Sequence, residues 1–174
     1  NAEKHGTKVT FHPDPTIFEE TVYDYDTLKQ RLRETAFLTK GLRIVLSDAR
    51  VDPVHTHEFH YAGGIKEFVT YLNKSKEALY PEVIYCEGTR DGVYVEVAMQ
   101  HNDSYNDATY SFVNNIITPE GGTHLAGFRN ALTKTFNTYA RANKILKDTE
   151  PALTGDDIRE GLTAIISIKI EEPQ

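Results

Sequence analysis

The chain has 174 residues, 39% of them hydrophobic and 26% charged, which suits one folded domain or two small ones and excludes a disordered chain. No apolar run approaches the roughly 20 residues that a membrane-spanning helix needs, and the single Cys86 excludes an internal disulfide and fits a reducing compartment. The net charge of −7 argues against a dedicated DNA-binding module, because such modules neutralise phosphates with an excess of basic residues.

Residues 7–61 are predicted to alternate strands with one helix. In chain order we expect a strand over 7–11, a helix from Asp24 or Asp26 to Leu38, a strand over 42–46, a turn over 48–53 and a returning strand over 56–61. Pro13 ends the first strand because proline cannot extend a ladder, and Gly41 closes the helix in a left-handed conformation. This order of elements indicates an α+β fold.

The remaining residues are predicted to form a second group of strands and helices. We expect a helix over 65–73, strands over 83–87, 93–100 and 108–115, a helix from His124 to about Lys144, a short helix ending at Gly161, and a strand over 163–170. Asp91-Gly92 is a hairpin signal, Thr123 can cap the long helix, and Thr154 with Asp157 matches a capping box. The apolar stripe of the long helix comprises Leu125, Phe128, Leu132, Phe136 and Tyr139.

Two groups of residues could suggest metal or thiol chemistry, and the simpler interpretation is favoured for both. His55, His57, Glu58 and His60 could suggest a metal site, but on a strand His60 faces away from the other two histidines, so a solvent-facing strand edge is preferred. Cys86 lies in an apolar strand segment and is predicted to be a small buried hydrophobic residue rather than a nucleophile.

Two anion-binding possibilities remain beside simpler ones. The turn over 121–124 precedes a long helix and could cradle a phosphate, but it lacks a phosphate-loop pattern, so a tight strand-to-helix turn is preferred. Basic residues on the long helix or just beyond it could form a positive strip for polyanions or simply a solvated face; they are Arg129, Lys134, Arg141, Lys144 and Lys147. Arg129 directly follows Phe128 of the apolar stripe, which suits a charge at an interface or a cavity wall.

Acidic residues near Thr154 do not by themselves indicate catalysis. Asp156, Asp157 and Glu160 are more simply explained as acids that complement a helix dipole, and Arg159 is expected to pair locally with them. The residue patterns alone therefore describe a two-part α+β protein without naming a reaction.

One long motif stands out in the sequence: Asn114-Asn115-Ile116-x-Thr118-Pro119-Glu120-Gly121-Gly122-Thr123-His124-Leu125-Ala126-Gly127-Phe128-Arg129. This run resembles the family of bacterial DNA gyrase B subunits, with the B subunits of topoisomerase IV as a close alternative. Further matching segments span 6–14, 31–38, 59–65, 95–100 and 154–162. The resemblance extends over nearly the whole chain, in order and without large gaps.

The resemblance implies a specific domain organisation. The expected fold is α+β: a partial ATPase sheet of the GHKL type, followed by a transducer domain similar to the second domain of ribosomal protein S5. Residues 1–62 would be the C-terminal half of the ATPase domain, 63–74 a connecting helix, and 75–174 most of the transducer domain.

The same resemblance places most of the ATP site outside this sequence. The catalytic glutamate, the magnesium-binding asparagine and the Asp-x-Gly-x-Gly motif of the family would precede this chain, and the Gln-Thr-Lys loop of the transducer domain would follow Gln174. We therefore expect no catalytic residue and no metal ligand here, with Gly6 and Thr7 as the ATP-binding positions. Arg129 is the expected contact to DNA phosphates, followed by Lys134 and Arg141.

The implied function is that of a fragment of an ATP-dependent type II DNA topoisomerase, which couples ATP hydrolysis to DNA strand passage and supercoiling. ATP and Mg²⁺ would be cofactors of the parent protein, with the site incomplete in this chain. Double-stranded DNA, the A subunit of gyrase and a second copy of the B subunit would be its partners in the cytoplasm, with no membrane involved. The alternative is a non-enzymatic α+β interaction module that acts alone.

Overall fold

A computed structural model describes residues 6–173 as four helices and seven strands. In chain order they are α1 (Tyr25–Leu38), β1 (Arg43–Asp48), β2 (His55–His60), α2 (Ile65–Leu72), β3 (Ile84–Arg90), β4 (Val93–His101), β5 (Ala108–Val113), β6 (Ile116–Ile117), α3 (Thr123–Ala142), α4 (Gly155–Arg159) and β7 (Leu162–Lys169). Among these residues no helix is both long and apolar enough to cross a membrane. The α+β class predicted from the sequence is confirmed.

The strands form two separate sheets. β1 and β2 make an antiparallel pair, and the other five strands are ordered β3-β4-β7-β5-β6. Only the pair of β5 and β7 is parallel; the chain between them crosses through α3 and α4. β7 is the central strand, and its residues from Leu162 to Ile168 are buried because both faces of the sheet are covered.

Two hydrophobic cores lie on opposite faces of the five-stranded sheet. Alternation along β7 sends Ile165 into one core, and Ala164 and Ile166 into the other. The first core is built from α1, α2 and the sheet: Phe37, Leu38, Ile65, Phe68, Val69, Ala98, Phe112 and Ile165. The second core joins the sheet to α3 and α4: Val97, Leu132, Ile158, Leu162, Ala164 and Ile166.

Local signals fix several element ends as predicted. Asp24 caps α1 by accepting a hydrogen bond from the Thr27 N–H at 2.7 Å. Asp91 and Gly92 both adopt positive φ, at 51° and 79°, which is the conformation that a tight β-hairpin requires. Thr154 caps α4 in the predicted capping box.

The predicted strand over 7–11 is wrong. Residues 6–24 form turns and irregular backbone, and Val9 and Phe11 are 78% and 73% exposed. A strand needs a neighbour to satisfy its backbone N–H and C=O groups, and none of the described strands pairs with this segment. An alternating pattern cannot report whether such a neighbour is present.

The long helix differs from the prediction at both ends. Gly122 occupies the cap position, so Thr123 begins α3 instead of capping it, and the helix ends at Ala142. The predicted apolar stripe reaches the second core only as far as Leu132. Tyr139 is 62% exposed, whereas the next residue, Ala140, is buried, so the apolar stripe does not coincide with the buried side at this end of the helix.

Smaller corrections concern strand and helix ends. The strand predicted over 108–115 stops at Val113, because Asn114 and Asn115 adopt positive φ and turn the chain into β6, which was not predicted. α1 ends at Leu38 as predicted, but Thr39 is its C-terminal cap; Gly41 has its predicted positive φ in the turn that follows instead of closing the helix. The helix predicted to reach Gly161 ends at Arg159, since Glu160 leaves the helical conformation with a ψ of 123° and Gly161 follows with a φ of +70°.

The prediction that Cys86 is buried is also wrong, because its side chain is exposed. Cys86 pairs with Val97, which contributes to the second core. β3 is an edge strand, however, and α3 and α4 cover the central strands rather than this edge. Apolar neighbours in the sequence are therefore not enough to bury the Cys86 side chain.

Candidate functional site

Arg129 lies on the second turn of α3, where it borders the second core. Its side chain is 41% exposed, and its Nη2 donates to Asp107 Oδ2 at 3.3 Å. The Nε atom is buried and has no hydrogen-bond partner among the described residues. Because guanidinium carries five N–H donors, Arg129 keeps donors free for an incoming anion.

Asp107 connects Arg129 to a second arginine. Arg159 of α4 donates from Nε to the same Asp107 Oδ2 at 3.1 Å, and from Nη2 to Asp156 Oδ1 at 2.6 Å. The other oxygen, Asp107 Oδ1, accepts a hydrogen bond from the hydroxyl of Thr109. One carboxylate thus links the two helices and fixes the direction of the Arg129 side chain.

Sequence reasoning did not find Asp107. Arg159 pairs with Asp156 three residues earlier, as expected, but its bond to Asp107 spans 52 residues. Asp107 directly precedes β5, and only the parallel pairing of β5 with β7 brings it beside α4. No local pattern around Asp107 carries that information.

A cavity of about 390 Å³ lies beside Arg129. Its walls come from β5, from the turn before α3 and from the first turns of that helix: Thr109, Tyr110, Ser111, Ile117, Thr118, Pro119, Glu120, Gly121, Leu125 and Arg129. The hydroxyls of Ser111 and Thr118 lie 2.6 Å apart, so these two groups satisfy each other. Arg129 is the cation of this lining and Glu120 its carboxylate, so Arg129 is the group with which an anion entering the cavity would pair.

The glycine-rich turn before α3 is held by its own hydrogen bonds. The Gly121 N–H donates to the Thr118 carbonyl at 2.9 Å, and Thr118 Oγ1 lies 3.3 Å from His124 Nε2. Burial lowers the pKa of His124, which favours a neutral ring at pH 7. These features support the interpretation of a tight strand-to-helix turn.

Lys134 and Arg141 do not lie on the same side of α3 as Arg129. At about 100° per residue, Lys134 is displaced by about 140° around the helix axis and Arg141 by about 120°. Lys134 is exposed, whereas Arg141 donates to the carbonyls of Lys147 and Glu150 at 2.9 and 3.0 Å. The three predicted basic residues therefore do not form one strip, and Arg141 stabilises the loop after the helix.

Gly6 and Thr7 lie in the irregular segment before α1. Both are exposed, and no other described atom lies within 4 Å of a side chain built at Gly6. The described residues build no enclosed site around them. Their predicted contact with ATP stays a prediction.

The histidines of β2 are engaged with aromatic and polar neighbours. The ring of His55 stacks on Tyr25 with centroids 4.4 Å apart, and His57 packs against Phe59 at 4.5 Å. Arg43 donates to Glu58 Oε2 at 2.7 Å and thereby lowers the pKa of that carboxyl. Within residues 6–173 no group of three potential ligands could hold a metal ion.

Comparison of the sequence with known proteins gives a consistent result. The DNA gyrase B family model matches residues 64–174. The DNA gyrase B subunit of Clostridium acetobutylicum is 57% identical over 175 residues, covering 100% of this chain and 27% of that protein. The corresponding protein of Halalkalibacterium halodurans is 54% identical over 173 residues, again covering 27% of its length. The chain thus spans about a quarter of the length of these relatives.

Solved structures resemble the fold over nearly the whole chain. The 43K ATPase domain of Thermus thermophilus gyrase B, crystallised in complex with an aminocoumarin, superposes with a TM-score of 0.79 at 36% identity. That match covers 93% of this chain and 44% of the other. The B-subunit of the DNA gyrase from Myxococcus xanthus gives a TM-score of 0.79 at 26% identity, covering 98% of this chain and 49% of the other.

Proposed function

This chain belongs to the DNA gyrase B family, and from that premise we propose that it is part of the ATP-driven motor of a type II DNA topoisomerase. The parent protein would bind ATP with Mg²⁺ and couple hydrolysis to the passage of one DNA duplex through another. The A subunit of DNA gyrase, a second copy of the parent protein and double-stranded DNA would be its partners in the cytoplasm. The exposed single thiol of Cys86 is compatible with such a reducing compartment.

Within this function, the chain would connect nucleotide binding to the transducer domain. Residues 1–62 would be the C-terminal half of the ATPase domain, 63–74 the connecting helix, and 75–174 the transducer domain. The five-stranded sheet supports this division, because all its strands follow residue 83. Gly6 and Thr7 would belong to the wall of a nucleotide pocket whose other residues come from the parent protein.

Arg129 is the residue that we propose contacts the phosphates of transported DNA. The observation that carries this proposal is a half-exposed guanidinium beside a cavity, held in one direction by Asp107 through Nη2, while its Nη1 makes no hydrogen bond to the described residues. A single well-placed arginine is compatible with the acidic net charge, since a transient contact needs few cations. Lys134 would add a weaker contact on another side of α3. Arg141 would contribute least, because its guanidinium already donates to the carbonyls of Lys147 and Glu150.

The test is the substitution Arg129→Gln in the full-length parent protein. We expect DNA-stimulated ATP turnover to fall severalfold while turnover without DNA changes little, because the cavity beside Arg129 is lined by no residue of the segment that holds Gly6 and Thr7. Loss of one phosphate contact should also reduce the salt slope of DNA binding by about one unit.

A matched control is Arg90→Gln. Arg90 lies at the tip of the hairpin of β3 and β4, its side chain is 92% exposed, and its Nε lies 3.5 Å from the carboxylate of Asp91. This variant should retain normal stimulation by DNA. If Arg129→Gln showed normal stimulation and an unchanged salt slope, the DNA role of Arg129 would be wrong.

A further inference from the structure

A second cavity lies on the opposite face of the sheet from Arg129, between α1, α2 and β5. Its volume is about 590 Å³, within the range of small-molecule sites. One wall is the charged side of α1, which includes Lys29 and Arg33. The other wall is largely apolar: Phe68, Tyr71, Leu72, Tyr110, Phe112 and Ile117.

The charged wall has an excess of positive charge. Lys29 and Arg33 are separated by one helical turn, and among the described residues no carboxylate lies within ion-pair distance of either. Glu34 is engaged by Arg31 at 3.2 Å, so it is not available to them. The cavity lining thus contains three cations, Lys29, Arg31 and Arg33, and two carboxylates, Asp26 and Glu34.

Arg33 is held in place by aromatic side chains instead of an acid. Its Nη1 donates to the hydroxyl of Tyr71 at 2.8 Å, and its Cζ lies 5.0 Å from the Tyr71 ring centroid and 5.8 Å from that of Phe59. These contacts orient the guanidinium without neutralising it. Its remaining N–H donors make no hydrogen bond to the described residues.

A neighbouring group responds to this charge. Burial lowers the pKa of His57, and the positive charges of Lys29 and Arg33 lower it further. A half-buried arginine and a lysine without an acidic partner therefore create a positive potential on this side of α1. An anion would relieve it by forming charge-assisted hydrogen bonds with Arg33.

We infer that this cavity binds a small organic anion that carries an aromatic ring. Its carboxylate or phosphate contacts Arg33 and Lys29, and its ring packs against Tyr71, Tyr110 and Ile117. Tyr110 is 39% exposed, so the ring removes apolar surface from water when it binds. This cavity shares Tyr110 and Ile117 with the cavity beside Arg129, but its cations lie on α1, and the inference does not depend on the proposed DNA contact.

The test uses 2-naphthoate and its neutral analogue 2-naphthamide, titrated into the 174-residue chain by calorimetry. We expect naphthoate to bind about tenfold more tightly than naphthamide, the difference that one charge-assisted contact supplies. The preference should shrink with added salt, because the anion contacts are electrostatic. Equal affinities would overturn the inference, since binding to other exposed apolar side chains would not distinguish the two compounds.

Three variants locate the binding site. Arg33→Gln should abolish the preference for naphthoate, and Lys29→Gln, which removes the second cation of the wall, should reduce it about threefold. Lys66→Gln, on the exposed side of α2 and outside the cavity lining, should leave it unchanged. Should Arg33→Gln fail to fold, Lys29→Gln decides: an unchanged preference in that variant would contradict the proposed site.

Discussion

Asp107 shows how a single carboxylate can organise a functional surface. One of its oxygens accepts hydrogen bonds from Arg129 and Arg159, and the other accepts a hydrogen bond from Thr109. Together with Asp156 these groups balance two positive and two negative charges. Asp107 is therefore a positioning residue: it sets where Arg129 points, and the exposed side of that arginine is what a ligand would contact.

We predict that Asp107→Asn destabilises the chain and disorders Arg129. Removing the shared negative charge leaves both guanidinium groups without their common acceptor; Arg159 keeps the exposed Asp156, and Arg129 is left with its positive charge uncompensated. The melting temperature should fall by about 2–4 °C, as expected for a loss of roughly 1 kcal/mol in a chain of this size. NMR signals of the Arg129 side chain should broaden or shift at the same time.

The control for this prediction is Asp148→Asn. Asp148 is 99% exposed and lies 3.9 Å from Arg141, a weak surface contact that should contribute little to stability. If both variants melted at the wild-type temperature, Asp107 would not have the positioning role described.

At the scale of elements, α4 depends on the residue that caps it. The helix has five residues, too few to be stable alone, and it presents Ile158 to the second core. Thr154 Oγ1 accepts from the Asp157 N–H at 3.2 Å, and Asp157 Oδ2 accepts from the Thr154 N–H at 2.8 Å. This capping box determines where α4 begins.

We predict that Thr154→Ala lowers the free energy of unfolding by about 1 kcal/mol, measured by urea denaturation at pH 7. Hydrogen bonds from Thr154 lower the pKa of Asp157 below its ordinary value of 3.8. Because the folded pKa is the lower one, the contribution is present above pH 3.8 and is lost as the pH falls below it. The difference between variant and wild type should therefore shrink in acid.

Thr154→Ser is the matched variant for α4, because it keeps the hydroxyl. It should retain most of the stability that alanine removes. Equal losses for alanine and serine would show that the methyl group of Thr154, rather than its hydrogen bonds, stabilises the helix.

At the scale of the whole molecule, stability should differ between the two sheets. β7 is buried on both faces, whereas β1 and β2 form a two-stranded sheet that exposes Val45. Two-stranded sheets are marginal without further support.

We predict that amide hydrogens of β7 exchange with solvent at least about a hundredfold more slowly than those of β1 and β2. Hydrogen-exchange mass spectrometry of the chain tests this directly. A partner that covered the smaller sheet would slow its exchange selectively, and equal protection of both sheets in a monomeric sample would contradict the prediction.

The sequence predicted the parts of the fold that local chemistry controls. Asp91-Gly92 specifies a hairpin and Thr154 a capping box because a few neighbouring atoms decide those conformations. The predictions for Cys86 and Tyr139 are wrong: both side chains are exposed, because burial depends on which element lies opposite a residue in space. The same limit applies to the candidate site. Arg129 could be predicted from its position beside the apolar stripe of α3, whereas its contact with Asp107 depends on the pairing of β5 with β7.

Stacked aromatic rings connect the first core to the smaller sheet. Phe37 of α1 lies face to face with Tyr61, just after β2, at 3.6 Å, and with Phe68 of α2 at 4.7 Å, and Phe68 in turn contacts Phe112 of β5. Close-packed rings resist compression, so these contacts transmit a force instead of absorbing it. A torque applied to β1 and β2 would therefore turn α1, α2 and the five-stranded sheet together.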